Sequence, residues 1–159
     1  MMIDAINIDL IVYDFDGVMT NNSVLLSEDG IESVIVNRSD GLAVEILKSK
    51  GIRQLILSTE RNKIVRARAL KLGIQVLQGI DDKKTILLDY CKRNSVDPNK
   101  VVYIGNDRND VPVMAIVGYP MAPQDAYPEA KKMAKFIIPV AGGSGVVREL
   151  LNFIKFSEA

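Results

Sequence analysis

Short apolar runs alternate with helical patterns along the chain, the signature of βα units feeding a parallel sheet. The apolar runs predict strands over about 8–14, 53–58, 75–77, 100–105, 117–121 and 135–138. Between them the spacing predicts helices over about 39–50, 61–72, 82–95, 109–116, 126–132 and 145–156. In the second helix Ile64, Val65, Leu70 and Leu72 supply an apolar stripe, with Arg66, Arg68 and Lys71 between them. Gly73 stands where a left-handed cap ends such a helix. One segment breaks the alternation. Residues 23–37 read as two β-rich runs around Glu28-Asp29-Gly30, a hairpin inserted after the first strand where a plain βαβ unit has a helix. Its Val24, Leu26, Val34 and Val36 need cover, which another subunit can supply.

Composition narrows the chemistry. At 159 residues the chain is expected to be one domain over 1–159. It has no histidine and a single cysteine, Cys91. Imidazole-based nucleophile pairs, His-ligated zinc, intrachain disulfides and multi-cysteine metal sites are therefore excluded. The 20 Lys+Arg balance 20 Asp+Glu, so no cationic surplus argues for nucleic acid as a partner. The opening MMIDAINIDL lacks the basic start of a signal peptide, and no apolar run approaches the roughly 18 residues of a membrane helix. No membrane partner is expected, and the protein reads as soluble and cytoplasmic. Any catalysis must come from carboxylates, hydroxyls, amines and a hard cation.

Those groups gather at strand ends. The first strand runs into Asp14-Phe15-Asp16-Gly17-Val18-Met19-Thr20. Two carboxylates two residues apart can address one centre only if the chain turns, which Gly17 permits. Strand 53–58 ends in Ser58-Thr59-Glu60-Arg61, Asp81-Asp82-Lys83 follows the third strand, and strand 100–105 runs into Asn106-Asp107-Arg108-Asn109-Asp110. In an open parallel sheet all of these emerge on the edge where ligands bind. A hydroxyl, an ammonium and a carboxylate/amide cluster beside a carboxylate pair suit a phosphate ester with a divalent cation.

In this order the four segments resemble the motifs of the haloacid dehalogenase superfamily, over nearly the whole chain. The early hairpin, the missing cap domain and the tail Ala141-Gly142-Gly143-Ser144-Gly145-Val146-Val147-Arg148-Glu149 resemble one branch of it. That branch comprises the capless phosphatases of 3-deoxy-octulosonate 8-phosphate and of nonulosonate (sialic-acid-type) 9-phosphates, a module also found in some acylneuraminate cytidylyltransferases. The resemblance implies a three-layer, Rossmann-like α/β fold with an inserted β-hairpin after the first strand and no cap domain.

It also implies roles. Asp14 is the nucleophile that forms an aspartyl-phosphate, and Asp16 is the acid/base. Ser58, aided by the amides of the following helix start, holds the phosphoryl group, and Lys83 rather than Lys84 pairs with the nucleophile. Mg²⁺ is held by Asp14, the Asp16 carbonyl and Asn106, with Asp107 and Asp110 ligating or orienting bound waters. Asn106 departs from the commoner Asp, removing one negative charge. Gly17, Thr59, Glu60, Asp40 and Arg148 are the expected substrate contacts; Asp40 can equally cap a helix. Where octulosonate enzymes have Thr-Gly-Arg this chain has Glu60, which tips the reading toward a nine-carbon over an eight-carbon sugar acid phosphate. Capless relatives assemble as homotetramers through their hairpins, so a homotetramer is expected. The competing reading is a weakly active or inactive tetramerisation module linked to a cytidylyltransferase. A two-component receiver domain is disfavoured, because the third strand ends in Val76-Leu77-Gln78 without an acceptor aspartate.

Overall fold

A computed structural model describes residues 2–156. The elements are β1 (Ile3–Asp4), β2 (Leu10–Tyr13), β3 (Leu25–Leu26), β4 (Glu32–Ser33), α1 (Arg38–Ser49), β5 (Arg53–Leu57), α2 (Lys63–Leu72), β6 (Gln75–Leu77), α3 (Lys83–Arg93) and β7 (Val101–Ile104). There follow α4 (Val111–Met114), β8 (Tyr119–Pro123), α5 (Pro128–Met133), β9 (Phe136–Ile138), α6 (Val146–Leu150) and β10 (Ile154–Lys155).

Six strands form a sheet in the order β6-β5-β2-β7-β8-β9, with every pair parallel. The chain builds outward from β2 in one direction, returns, and builds outward from β7 in the other. The crevice left at this reversal, beyond the carboxyl ends of β2 and β7, is where such sheets bind ligands. Tyr13 pairs with both Ile56 and Ile104, so the segments leaving β2, β5 and β7 emerge level with one another.

Strand alternation sorts the core into two layers. Ile11 and Tyr13 pack with Ala43, Val44 and Leu47 of α1, Val65 and Ala69 of α2, and Val147 and Leu150 of α6. Leu10 and Val12 face the other way, against Leu87 of α3, Val113 of α4 and Ala130 of α5. Each fully buried aliphatic side chain contributes about 1.5–3 kcal/mol. The same parity carries the next even position, Asp14, to the α3 side of the sheet. The three-layer α/β architecture is as expected, and among the described residues only the hairpin is inserted between β2 and α1.

Several boundaries differ from expectation. The last helix is not 145–156: α6 ends at Leu150, a 3₁₀ turn follows, and β10 pairs with β1 through Ile3 and Ile154. Apolar periodicity over so short a run cannot separate a helix from a two-residue strand. The helix at 109–116 shrinks to a 3₁₀ turn over Arg108–Asp110 and the single turn α4, with Pro112 in its first turn. Strand 117–121 lies later, at Tyr119–Pro123. Gly73 does adopt the left-handed conformation that ends α2.

The hairpin pairs Leu25 with Ser33 and Leu26 with Glu32. Its expected apolar face divides. Val34 and Val36 pack on the chain's own core, whereas Val24 and Leu26 are exposed together with Leu25, Ile31 and Ile35. No described helix is long and apolar enough to cross a membrane.

Candidate active site

The site is assembled by elements distant in sequence. Asp14 leaves β2 on the α3 side, where Lys83, the first residue of α3, meets it: Nζ lies 2.8 Å from Asp14 Oδ1. Asp82 makes this start possible by capping α3, accepting from the Thr85 amide and hydroxyl. Lys83 is buried and Lys84 exposed. The same ammonium reaches Asp110 Oδ1 at 2.7 Å. One buried cation therefore serves two buried carboxylates, leaving the trio short of positive charge. Burial, with Asp110 close by, pushes the Asp14 carboxyl up to about 7 against the opposing pull of Lys83.

Asp110 was expected to ligate a metal or orient bound waters; its own bonds bear on that. Its carboxylate accepts from Lys83, the Tyr103 hydroxyl at 2.6 Å, and the amides of Asn106 and Asp107 at 2.8 and 3.2 Å. These four donors hold it beneath the Asn106–Asp107 turn and leave it poorly placed to ligate directly. Tyr103 escapes sequence reasoning because its hydroxyl looks like any core tyrosine until Asp110 folds over it.

A cleft of about 140 Å³ opens above, lined by Asp14, Asp16, Asn22, Ser58, Thr59, Asn106, Asp107 and Asn109. One terminal atom of the Asn106 amide lies 3.2 Å from Asp14 Oδ2 and 3.0 Å from the Asp16 main-chain oxygen. If the NH₂ group occupies that position, it donates to both oxygens. With the carbonyl oxygen turned in, Asp14, the Asp16 carbonyl and Asn106 would present three oxygens that could hold Mg²⁺. The donor set fits a hard divalent cation.

Asp16 is half-buried, and its carboxyl is raised: burial leads, the Thr20 hydrogen bond opposes, and Glu60 and Glu32 add to the rise. Thr20, fully buried, donates to Asp16 Oδ1 at 3.3 Å and accepts from the amides of Gly17 and Asn22. It is a second residue without an assigned role in the sequence reading, although it stands inside the first motif.

Ser58 accepts from the Glu60 amide, which leaves its hydroxyl proton free to point into the cleft. α2 begins only at Lys63, and the amides of Arg61 and Asn62 are taken by Glu60 Oε1. Thr59 lines the cleft. Three residues expected at the substrate also make contacts within the protein. Gly17 is buried, with φ of 82° and its bare α-carbon against the Asn106 amide. Asp40 is fully buried and accepts from the Arg148 amide, so it caps α6, whose positive end draws the carboxylate. Glu60 is spent on the amides before α2, with one carboxylate oxygen unclaimed. Arg148 is exposed on α6 and is not among the residues lining the cleft.

The haloacid dehalogenase-like hydrolase family matches residues 36–150. The chain belongs to that family. It is 35% identical over 155 residues to the 3-deoxy-D-manno-octulosonate 8-phosphate phosphatase of Yersinia pestis, covering 97% of this chain and 83% of the relative. A putative haloacid dehalogenase family hydrolase from Streptomyces avermitilis superposes with a TM-score of 0.94 at 44% identity, covering 97% and 88% of the two chains. A third similar protein, the 3-deoxy-D-manno-octulosonate 8-phosphate phosphatase of Moraxella catarrhalis, has been solved with magnesium, phosphate and its sugar acid. It superposes with a TM-score of 0.89 at 28% identity, covering 94% of this chain and 89% of that one.

Proposed function

We propose that this haloacid dehalogenase-like hydrolase is a Mg²⁺-dependent phosphatase of a sugar acid phosphate that works through an aspartyl-phosphate at Asp14. The observation that carries the reading is the buried Lys83–Asp14 pair at 2.8 Å beside the oxygen cluster of Asp14, Asp16 and Asn106. Asp14, the Asp16 carbonyl and Asn106 would hold Mg²⁺, with Asp107 at the rim. When bound, Mg²⁺ supplies positive charge that offsets repulsion between the carboxylate and the phosphate dianion.

An Asp14 carboxylate oxygen attacks phosphorus while the bond from phosphorus to the sugar oxygen breaks. Asp16, whose carboxyl burial shifts upward, gives its proton to that oxygen, and the sugar leaves as an alcohol. Asp16, now a carboxylate, takes a proton from water, whose oxygen attacks the acyl phosphate. Phosphate departs and the Asp14 carboxylate returns. Ser58 and Lys83 hold the phosphoryl oxygens by hydrogen bond and charge throughout.

The eight-carbon 3-deoxy-octulosonate 8-phosphate is the first substrate to test, because the Yersinia pestis and Moraxella catarrhalis relatives bear that name. The unclaimed Glu60 oxygen near the cleft favours a second reading, a nonulosonate 9-phosphate. Phosphate release from both esters, with Mg²⁺ and with chelator, decides between them. Mg²⁺-dependent turnover that disappears in Asp14→Asn supports the enzyme reading; absence of turnover on either ester overturns it.

The cleft accommodates a phosphoryl group but is well below the roughly 300–1,000 Å³ of a whole-ligand pocket. The sugar must therefore rest on surface outside it. Together with the exposed Val24, Leu25, Leu26, Ile31 and Ile35, this supports a homotetramer in which neighbouring hairpins meet. Light scattering that gives a monomer mass would refute the assembly.

A further inference from the structure

The segment between β9 and α6, which carries the glycines of the tail, does not stand free as a mobile entry to the last helix. It is wedged against the loop that bears Asp16. Gly143 donates its amide to the Val18 carbonyl at 3.0 Å. The α-carbon of Gly142 approaches the same loop so closely that a Cβ there would lie 2.2 Å from the Gly17 oxygen and 2.8 Å from the Thr20 oxygen. A Cβ on Gly143 would meet the Asn21 nitrogen at 2.7 Å. These are backbone atoms, so a side chain can be accommodated only by moving the loop.

The other side of the segment is anchored. Asp125, just beyond β8, accepts from the Gly142 amide at 2.9 Å, and Gln124 donates to the Val140 carbonyl at 3.1 Å. A continuous line of contacts thus runs from Asp125 through Gly142 and Gly143 to Gly17, Val18 and Thr20. Thr20 in turn binds the Asp16 carboxylate. Within the loop, Phe15 O is shared by the amides of Val18, Met19 and Thr20 at 3.3, 2.9 and 3.2 Å, and the Thr20 hydroxyl accepts from the Gly17 and Asn22 amides. The glycine segment bears on this loop from outside.

We propose that Asp125, Gly142 and Gly143 form a strut that sets where the Asp16 loop stands, making Asp125 and Gly142 positioning residues for the phosphatase reaction. The inference rests on the reading of Asp16 as acid/base, because a displacement of that loop moves the proton donor relative to the leaving oxygen. Glycine is required at 142 by close approach of backbone, and carboxylate or amide is required at 125 to accept from the amide of the buried Gly142.

Hydrogen exchange and kinetics on the full chain test it together. In Gly142→Ala and Asp125→Ala, exchange should accelerate at the amides of Val18, Met19 and Thr20 while the amides of α3 keep their wild-type rates. Misplacement near 1 Å can cost about 100-fold, so Gly142→Ala should lose roughly that in kcat with KM little changed. Asp125→Ala should lose less, in the same direction. Asp125→Asn retains an acceptor oxygen and should recover both exchange pattern and kcat. Unchanged loop exchange in both the Ala variants overturns the strut, and so does uniform acceleration over the whole chain. If the loop amides respond as expected but wild type hydrolyses no ester, the strut stands and the acid/base reading falls.

Discussion

Gly17 and Asn106 are 89 positions apart, yet a Cβ on Gly17 would lie 1.9 Å from a terminal atom of the Asn106 amide. The first and fourth motifs are therefore fitted to each other at the level of a missing methyl group. Gly17→Ala must push the Asn106 amide away from Asp14 Oδ2 and the Asp16 oxygen, and it also meets the strain of a φ of 82°. Activity should fall by about 100-fold. Isothermal titration should show weakened Mg²⁺ binding, and wild-type affinity in this variant would contradict the fit.

Among the described residues Lys83 is the only basic side chain paired with Asp14 and Asp110. Lys83→Met strips the charge from a buried cluster and should cost about 3–5 kcal/mol in urea unfolding at pH 7. The pH dependence has a definite sign. A carboxyl whose folded pKa stands near 7 against an ordinary 3.8 takes up a proton on folding, so its favourable contribution is held at low pH and lost as pH rises through about 7. Metal-free wild type should thus lose stability by this group between about pH 4 and pH 7, and in Lys83→Met the loss should run on to higher pH. A variant insensitive to pH in that window would contradict the cluster's charge shortage.

At Asn106 the amide can serve the neighbouring oxygens by either end, donating with NH₂ or facing a cation with oxygen. A carboxylate can only repel Asp14 when no cation is present. Asn106→Asp should therefore lower the melting temperature of chelator-treated protein and enlarge the rise on adding Mg²⁺. Calorimetric scans with chelator and with saturating Mg²⁺ measure both, and an unchanged metal-free melting temperature would count against the arrangement.

Asp16 should govern the alkaline limb of kcat/KM, because its protonated form is the donor. The Thr20 hydrogen bond lowers its pKa, so Thr20→Val should move that limb to higher pH. Glu60 raises it, so Glu60→Gln should move the limb down. Shifts in opposite directions are the diagnostic result; movement in the same direction would detach the limb from Asp16.

Part of this was legible one residue at a time. The apolar run over Leu10–Tyr13 and the left-handed Gly73 cap follow from local patterns whose physics is short-ranged, whereas Lys83 was preferred to Lys84 only through the family resemblance. The final segment was not legible, because Ile154 becomes a strand only by pairing with Ile3. Glu60 and Asp40 were legible as carboxylates near helix starts, but not which amides would claim them: Asp40 passes over its own helix to serve Arg148 on another.

The sequence by itself determined the alternating βα order, the absence of imidazole chemistry and the four segments that supply Asp14, Ser58, Lys83 and Asn106. Periodicity and composition are properties of neighbouring residues, so they survive without coordinates. Only the tertiary structure decided that Asp110 and Tyr103 support Lys83 from below, that Gly17 yields to Asn106, and that Gly142 presses on the Asp16 loop. Those relations depend on backbone distances across the sheet crevice, which no local pattern encodes.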